Sequence, residues 1–393
     1  MATIKSVSTL LVDGDWIESK DQSLEGIRLI QTGNIGIGEY LDKTNRAKYI
    51  SEETLERLNC TELMSGDILI SRLPDPIGRA CRVPNNIGRA ITAVDCTIIR
   101  LNPDKCDAEY FVQYTQSKMY QNRLSQFFAG STRTRISRKN LEQVEIPLPS
   151  IAEQRHIALT LGKVDNLIAL RREQLAKLDE LVKARFVEMF GDMLLNPMGW
   201  KAVQLEDLAD VVSGITKGRK VKSQVLTEVP YMAVSNVKDG YIDWTTVKTI
   251  MATQQEIEQY RLLPNDVLMT EGGDPDKVGR GAVIKKPLEN SIHQNHIFRV
   301  RLECSKILPA FFAEYLQHQK AKRYFLGCAK QTTGIASINM KQLRALPVLV
   351  PPLELQEKFT TFVEQTDRTK LTIQASLDKF EVMKKALMQE YFG

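Results

Sequence analysis

The sequence is short of the features that metal, redox or nucleotide chemistry requires. Its six cysteines (Cys60, Cys81, Cys96, Cys106, Cys304 and Cys328) form no CxxC pair, which argues against a zinc site or a disulfide framework. No run of 18 apolar residues is long enough to span a bilayer. Met1-Ala-Thr-Ile-Lys5 lacks the apolar stretch of a signal peptide, so a cytoplasmic protein is expected. There is no Walker sequence, and Gly33-Asn-Ile-Gly36-Ile-Gly38 is a turn rather than a dinucleotide fingerprint. No aromatic Asn-Pro-Pro signature of amino-group methylation occurs; Asn196-Pro-Met is not one. His293 and His296 are three apart on a β-like stretch and point to opposite faces, which excludes a shared metal. Asp266, Glu271, Asp274 and Asp276 superficially suggest a nuclease cluster, but no lysine falls two residues after an acid in the arrangement it needs. Asp67 and Asp266 instead suit turns, beside Gly66 and Asn265. The net charge of +5 is too small for 393 residues to establish nucleic-acid binding by itself.

What the chain does have is a repeat. Leu141-Glu-Gln-Val-Glu-Ile-Pro-Leu-Pro149-Ser-Ile-Ala-Glu-Gln154 returns as Leu343-Arg-Ala-Leu-Pro-Val-Leu-Val-Pro351-Pro-Leu-Glu-Leu-Gln356, at an offset of 202 residues. Phe190-Gly191 and Phe392-Gly393 keep that offset. The hydrophobic content of 43% supports a separate core in each copy.

Each copy predicts an α+β domain followed by a long helix. The boundaries expected are 1–150 and 194–350 for the domains, and 151–193 and 351–393 for the helices. Ile27–Ile35 and Val229–Val237 read as strands running into turns. Ile68–Ile70 and Val267–Met269 follow turns, and Glu109–Gln116 and Ala310–Gln317 read as aromatic amphipathic helices. In the first long helix a 4,3 spacing selects Ile157, Leu161, Val164, Ile168, Leu175, Leu178 and Val182. In the second it selects Phe359, Val363, Ile373, Leu377, Phe380 and Leu387. Such a seam predicts an antiparallel coiled coil within the chain. Thr366, Lys370 and Lys384 interrupt it, which predicts weaker or partner-dependent pairing there. The second copy also opens with Trp200–Leu208, whose counterpart would precede Met1, so the first domain is expected to lack or replace its initial strand.

Basic clusters lie in the domains. Ser131–Lys139 carries Arg133, Arg135, Arg138 and Lys139; a second run carries Lys217, Arg219, Lys220 and Lys222. Both suit phosphate contacts. Arg72, Arg79, Arg82, Lys277, Arg280 and Lys341 are further candidate cations. Asn34, Asn236, Gln331 and these arginines are candidate base readers, because Asn and Gln pair with adenine and Arg with guanine.

In order and duplicated, these features resemble a specificity subunit of a type I restriction–modification system. The resemblance rests on Ile146–Gln154 and Val348–Gln356, each leading into a long helix, with Gly14-Asp-Trp-Ile-Glu18 and Leu29–Ile35. It implies two pseudo-symmetric target recognition domains, each reading half of a bipartite site on double-stranded DNA. It also implies spacer helices that dock two methyltransferase subunits, with two restriction subunits as further partners. S-adenosylmethionine, ATP and Mg would belong to those partners, leaving this chain non-catalytic and without a cofactor. The competing readings are an enzyme of unrecognised motif and a two-headed coiled-coil adaptor for proteins.

Overall fold

The computed structural model describes residues 1–129, 134–220, 225–332 and 334–393. The chain divides into two compact units. Unit 1 is residues 1–172 with 375–393, and unit 2 is residues 173–374. The helices of the first half are α1 (Glu52–Leu58), α2 (Ala108–Thr115), α3 (Lys118–Ser125), α4 (Arg138–Glu142) and α5 (Ile151–Phe190). Those of the second half are α6 (Gln254–Tyr260), α7 (Pro309–Gln317), α8 (Gln319–Cys328), α9 (Met340–Arg344) and α10 (Leu353–Phe392). The two long helices have 40 residues each. Among the described residues no helix is long and apolar enough to cross a membrane.

In unit 1 the strands are β1 (Ala2–Thr3), β2 (Ser8–Asp13), β3 (Ile27–Ile30), β4 (Lys48–Ile50), β5 (Ile68–Ser71), β6 (Ala80–Arg82), β7 (Ala90–Thr92), β8 (Cys96–Leu101) and β9 (Glu145–Ile146). They form a four-stranded sheet ordered β2-β8-β5-β6, a three-stranded sheet ordered β4-β3-β7, and the short pair β1-β9. The apolar run of β5 is continuous because the strand is covered on both faces. Ile68 and Ile70 pack toward α2 and the long helices, while Leu69 packs with Ile30, Ile35, Cys81 and Ile98. The initial strand is shortened rather than missing: β1 has two residues and pairs with β9 as its longer equivalent pairs in unit 2.

Unit 2 repeats this plan with β10 (Lys201–Gln204), β11 (Ala209–Ser213), β12 (Thr227–Met232), β13 (Lys248–Ala252), β14 (Val267–Thr270), β15 (Gly272–Gly273), β16 (Gly281–Val283), β17 (Ile292–His293), β18 (Ile297–Leu302), β19 (Lys330–Thr332), β20 (Ile335–Ser337) and β21 (Pro347–Val350). The sheets are β11-β18-β14-β16, β13-β12-β17, β15-β20-β19 and the pair β10-β21. Val267 and Met269 face the larger core, and Leu268 the smaller one. The turn before each central strand is a matched device. Gly66 and Asn265 both take positive φ, +89° and +72°. Asp67 Oδ2 then accepts from Met64 N, as Asp266 Oδ2 does from Leu263 N. Each buried aspartate also binds an arginine through both oxygens, Arg100 at 2.8 and 2.8 Å, and Arg301 at 2.7 and 2.8 Å.

Helix α5 starts where Ser150 and Glu153 cap each other's backbone N–H groups. It ends at Gly191, whose φ of +76° suits the left-handed residue after a helix. Within unit 1, α5 and α10 run antiparallel: Asp165 meets Lys384 at 2.6 Å and Arg172 meets Glu381 at 2.7 Å. Ile157, Leu161 and Leu387 join the unit 1 core; Val164, Ile168 and Leu377 are buried along the helices. Within unit 2 the pairing is also antiparallel, with Asp179 on Lys370 and Phe186 on Phe359. Val182, Phe359 and Val363 lie in or against that core, whereas Leu175, Leu178, Ile373 and Phe380 are half-buried. The seam lysines do not leave gaps, since Lys370 and Lys384 have carboxylate partners on the facing helix. Thr366 is buried and donates to Phe362 O.

Aromatic residues at the helix ends complete both cores. Phe392 packs on Tyr110 and Tyr114 at 5.5 and 5.6 Å in unit 1. Phe190 packs on Phe311 and Phe359 at 4.9 and 5.5 Å in unit 2. Residues 188–194 are therefore not a free linker, because Phe190 and Met193 are fully buried.

Candidate nucleic-acid interface

In unit 1 four segments converge where the central strand leaves the sheet. They are the end of β2 (Asp13), the exit of β5 (Arg72), the turn before β8 (Asp95) and residues 134–139. Register extension puts Arg72 beside Asp95, because Ser71 pairs with Cys96 and Arg72 N donates to Asp95 O at 2.9 Å. Ile136 N then donates to Arg72 O at 3.4 Å. The Arg72 guanidinium lies 3.6 Å from Asp13 and 3.7 Å from Asp95, with its side chain 13% exposed. Ser137 caps α4 by accepting from Asn140 N, and Leu141 anchors that helix in the core. This leaves Arg138 and Lys139 on the first turn. Arg138 leans toward Asp13 and Glu142 at 4.0 and 3.5 Å. Arg135 and Lys139 are exposed and have no ion-pair partner among the described residues.

The same place in unit 2 is built from the end of β11, the exit of β14 (Glu271), the turn before β18 (Gln294–His296) and residues 334–341. Glu271 N donates to His296 O at 3.0 Å, and Ile338 N donates to Glu271 O at 2.8 Å. Ser213 Oγ donates to Asn295 O at 2.6 Å, which closes the turn against β11. Lys217 and Lys220 follow, both exposed, and Lys341 is exposed on α9 as Lys139 is on α4. Lys277 pairs with Asp274 in the loop after β14. Arg280 is partly buried at the end of that loop. Arg219 is held at 2.5 Å by both oxygens of Glu256 and donates to Met251 O. That guanidinium keeps the Glu256 carboxyl below the usual carboxylate range.

The structure thus gathers Arg72, Arg135, Arg138 and Lys139 in one unit, and Lys277, Arg280 and Lys341 in the other, with Lys217 and Lys220 on the loop beyond β11. Arg133, Lys222 and the side chain of Gln331 lie outside the described residues. Several other candidates have partners within the chain. Asn34 Oδ1 accepts from Gln31 N while its Nδ2 donates to Leu41 O. Asn236, fully buried, caps Ala233 N and donates to Asp243 O and Thr246 Oγ1. Both amides are engaged in supporting turns. Arg79 spends its donors on Ile35 O, Thr32 O, Leu73 O and Pro76 O, holding loops together. Arg82 pairs with Ile68 at the start of β5, away from the Arg72 end, and its guanidinium binds Glu109. Arg219 is held by Glu256. The sequence reading also missed the Glu271–His296 contact; aligning Arg72 with Glu271 and Asp95 with His296 would have exposed it. Among the described residues no three His, Cys, Asp or Glu side chains converge as a metal site.

Two sheet-bearing units of one plan, each joined to half of a long helix pair, define a duplicated recognition scaffold. The family model described as "Type I restriction modification DNA specificity domain" matches residues 4–180 and 197–379, and the chain belongs to that family. Among its relatives, the type I restriction enzyme EcoKI specificity subunit of Escherichia coli (strain K12) is 25% identical, over 69% of this chain and 60% of that protein. The StySPI specificity subunit of Salmonella potsdam is 26% identical, over 67% of this chain and 60% of that protein. The matches thus span about 60% of the length of these relatives. The crystal structure of the type I restriction-modification system S subunit from M. genitalium shares the fold. Its TM-score is 0.59 at 16% identity, covering 100% of this chain and 95% of that one. A chain from a study of complex assembly in a type I R-M system aligns with a TM-score of 0.56 at 16% identity, covering 100% and 96%.

Proposed function

We propose that this chain is the non-catalytic DNA-recognition subunit of a type I restriction–modification complex acting in the cytoplasm. Each unit reads one half of a bipartite duplex site, and the paired helices set the gap and dock two methyltransferase subunits. S-adenosylmethionine, ATP and Mg belong to those partners and to restriction subunits that join them. The observation that carries this reading is one scaffold built twice with different surfaces. The Asp67–Arg100 and Asp266–Arg301 supports match, whereas the loops they hold present different charges. A scaffold that is kept while its loops diverge suits two readers of unlike sequences. The test exchanges residues 194–350 for the corresponding segment of a relative, in the complex with the methyltransferase subunit, and maps methylated adenines. One half-site should change and the other persist; a change in both, or methylation without sequence preference, refutes the reading.

A further inference from the structure

At the exit of the central strand the two units carry opposite charges on matched backbone. In unit 1 the residue is a cation, Arg72, enclosed by Asp13 and Asp95. In unit 2 it is a carboxylate, Glu271, and the residue facing it is His296. The backbone donors are the same in both, Arg72 N to Asp95 O and Glu271 N to His296 O. The scaffold therefore does not dictate the side chain. Arg72 is 13% exposed and its charge is answered from within. The Glu271 side chain is 32% exposed, and among the described residues only one of its oxygens is held.

The hydrogen bonds around Glu271 fix its orientation. His296 Nδ1 lies 2.6 Å from Glu271 Oε2, and a carboxylate only accepts, so Nδ1 is the donor. In the neutral ring Nε2 is then an acceptor, matching Asn295 Nδ2 at 3.3 Å. The chain Asn295–His296–Glu271 is directional and leaves Glu271 Oε1 as an acceptor. The surrounding loops carry Lys217, Lys220, Lys277, Arg280 and Lys341, a surface suited to phosphates, which repel a carboxylate. The donors that duplex DNA offers to a carboxylate in the major groove are exocyclic amino groups.

We propose that Glu271 is a specificity-determining residue of unit 2, accepting from a base amino group (cytosine N4 or adenine N6) while His296 positions it. This rests on the DNA-recognition reading above. The experiment uses the whole chain in complex with its methyltransferase subunit and duplexes randomised in each half-site, and measures relative binding. Glu271→Gln should change the preference at one base pair of the unit 2 half-site by tenfold or more and leave the unit 1 half-site unaltered. The base favoured by the wild type at that position distinguishes cytosine from adenine. Glu271→Asp keeps the charge but withdraws it, and should lose the same preference. His296→Ala should weaken that one preference, and His296→Asn restore part of it. Uniformly tighter binding of Glu271→Gln to all duplexes would show a merely repulsive carboxylate and overturn the proposal. Unchanged preferences in both Glu271 variants would overturn it too, while leaving the recognition reading intact. A wild-type complex without sequence preference would defeat both.

Discussion

Gln154 and Gln356, 202 residues apart, are both fully buried and make the same three hydrogen bonds. Gln154 accepts from Asp107 N at 2.9 Å and donates to Lys105 O and Pro149 O at 3.1 and 2.9 Å. Gln356 accepts from Leu308 N at 2.8 Å and donates to Lys306 O and Pro351 O at 3.3 and 2.9 Å. Each amide ties the first turn of a long helix to the loop leading into an aromatic helix. Alanine at either position leaves one N–H and two carbonyls without these partners. A loss of ~2–4 kcal/mol is expected for each variant in urea denaturation. A loss below ~0.5 kcal/mol would mean that the loop is held by packing alone.

In the basic segment of unit 1, alanine at Arg133, Arg135, Arg138 and Lys139 should weaken DNA binding and flatten its salt dependence. Arg138 already has carboxylate neighbours. Arg135 and Lys139 should therefore carry much of the effect, and the double variant should lower the salt slope by about 2. Titrations over a salt series check this; an unchanged slope in a folded variant demotes the cluster to solvated surface.

His293 makes unit 2 sensitive to acid. Burial pushes its imidazole down to about 4, and its Nδ1 faces Ile297 O. The unfolded chain takes up the proton near pH 6.5, where the folded chain refuses it. Stability from this group is thus complete above about pH 6.5 and is lost as pH falls toward about 4. The loss is ~1.4 kcal/mol per pH unit, or ~2 kcal/mol by pH 5. His293→Asn should remove this slope, as read from denaturation midpoints at the two pH values.

If the helices set the gap between half-sites, lengthening both should lengthen it. The insertion belongs at the unit boundaries, after Arg172 and after Gln374, rather than at residues 188–194, where Phe190 and Met193 fill the core. Seven residues in each helix preserve the seam and add ~10 Å. That corresponds to ~3 base pairs. Mapped adenines should show both half-sites kept and one longer spacing; a spread of spacings would indicate a tether.

The duplication was legible because a repeated buried device leaves a repeated sequence, as at Gln154 and Gln356. The helix seam was legible too, since 4,3 periodicity follows directly from helical geometry. Phe190 and Phe392 were seen as markers of the repeat but not as core residues, because they lie outside the seam and pack on aromatics far along the chain. Arg100 and Arg301 were overlooked because a buried ion pair across strands has no local signature. Asn34 and Asn236 read from the sequence as base readers, and in the structure each supports a turn. Their side chains cap turns, and an asparagine beside a turn has the same sequence appearance in either role.

Unit 1 is discontinuous along the chain, and this bears on its synthesis. Its sheets and the first part of α5 emerge early, but Phe392 and the rest of residues 375–393 follow only after the 202 residues of unit 2. At ~5–20 residues per second, translation of that stretch takes ~10–40 s. Throughout that interval Tyr110 and Tyr114 lack the aromatic partner that covers them. Unit 2 is continuous and can close first on the ribosome, so a pause late in translation would expose the first-made unit rather than the second.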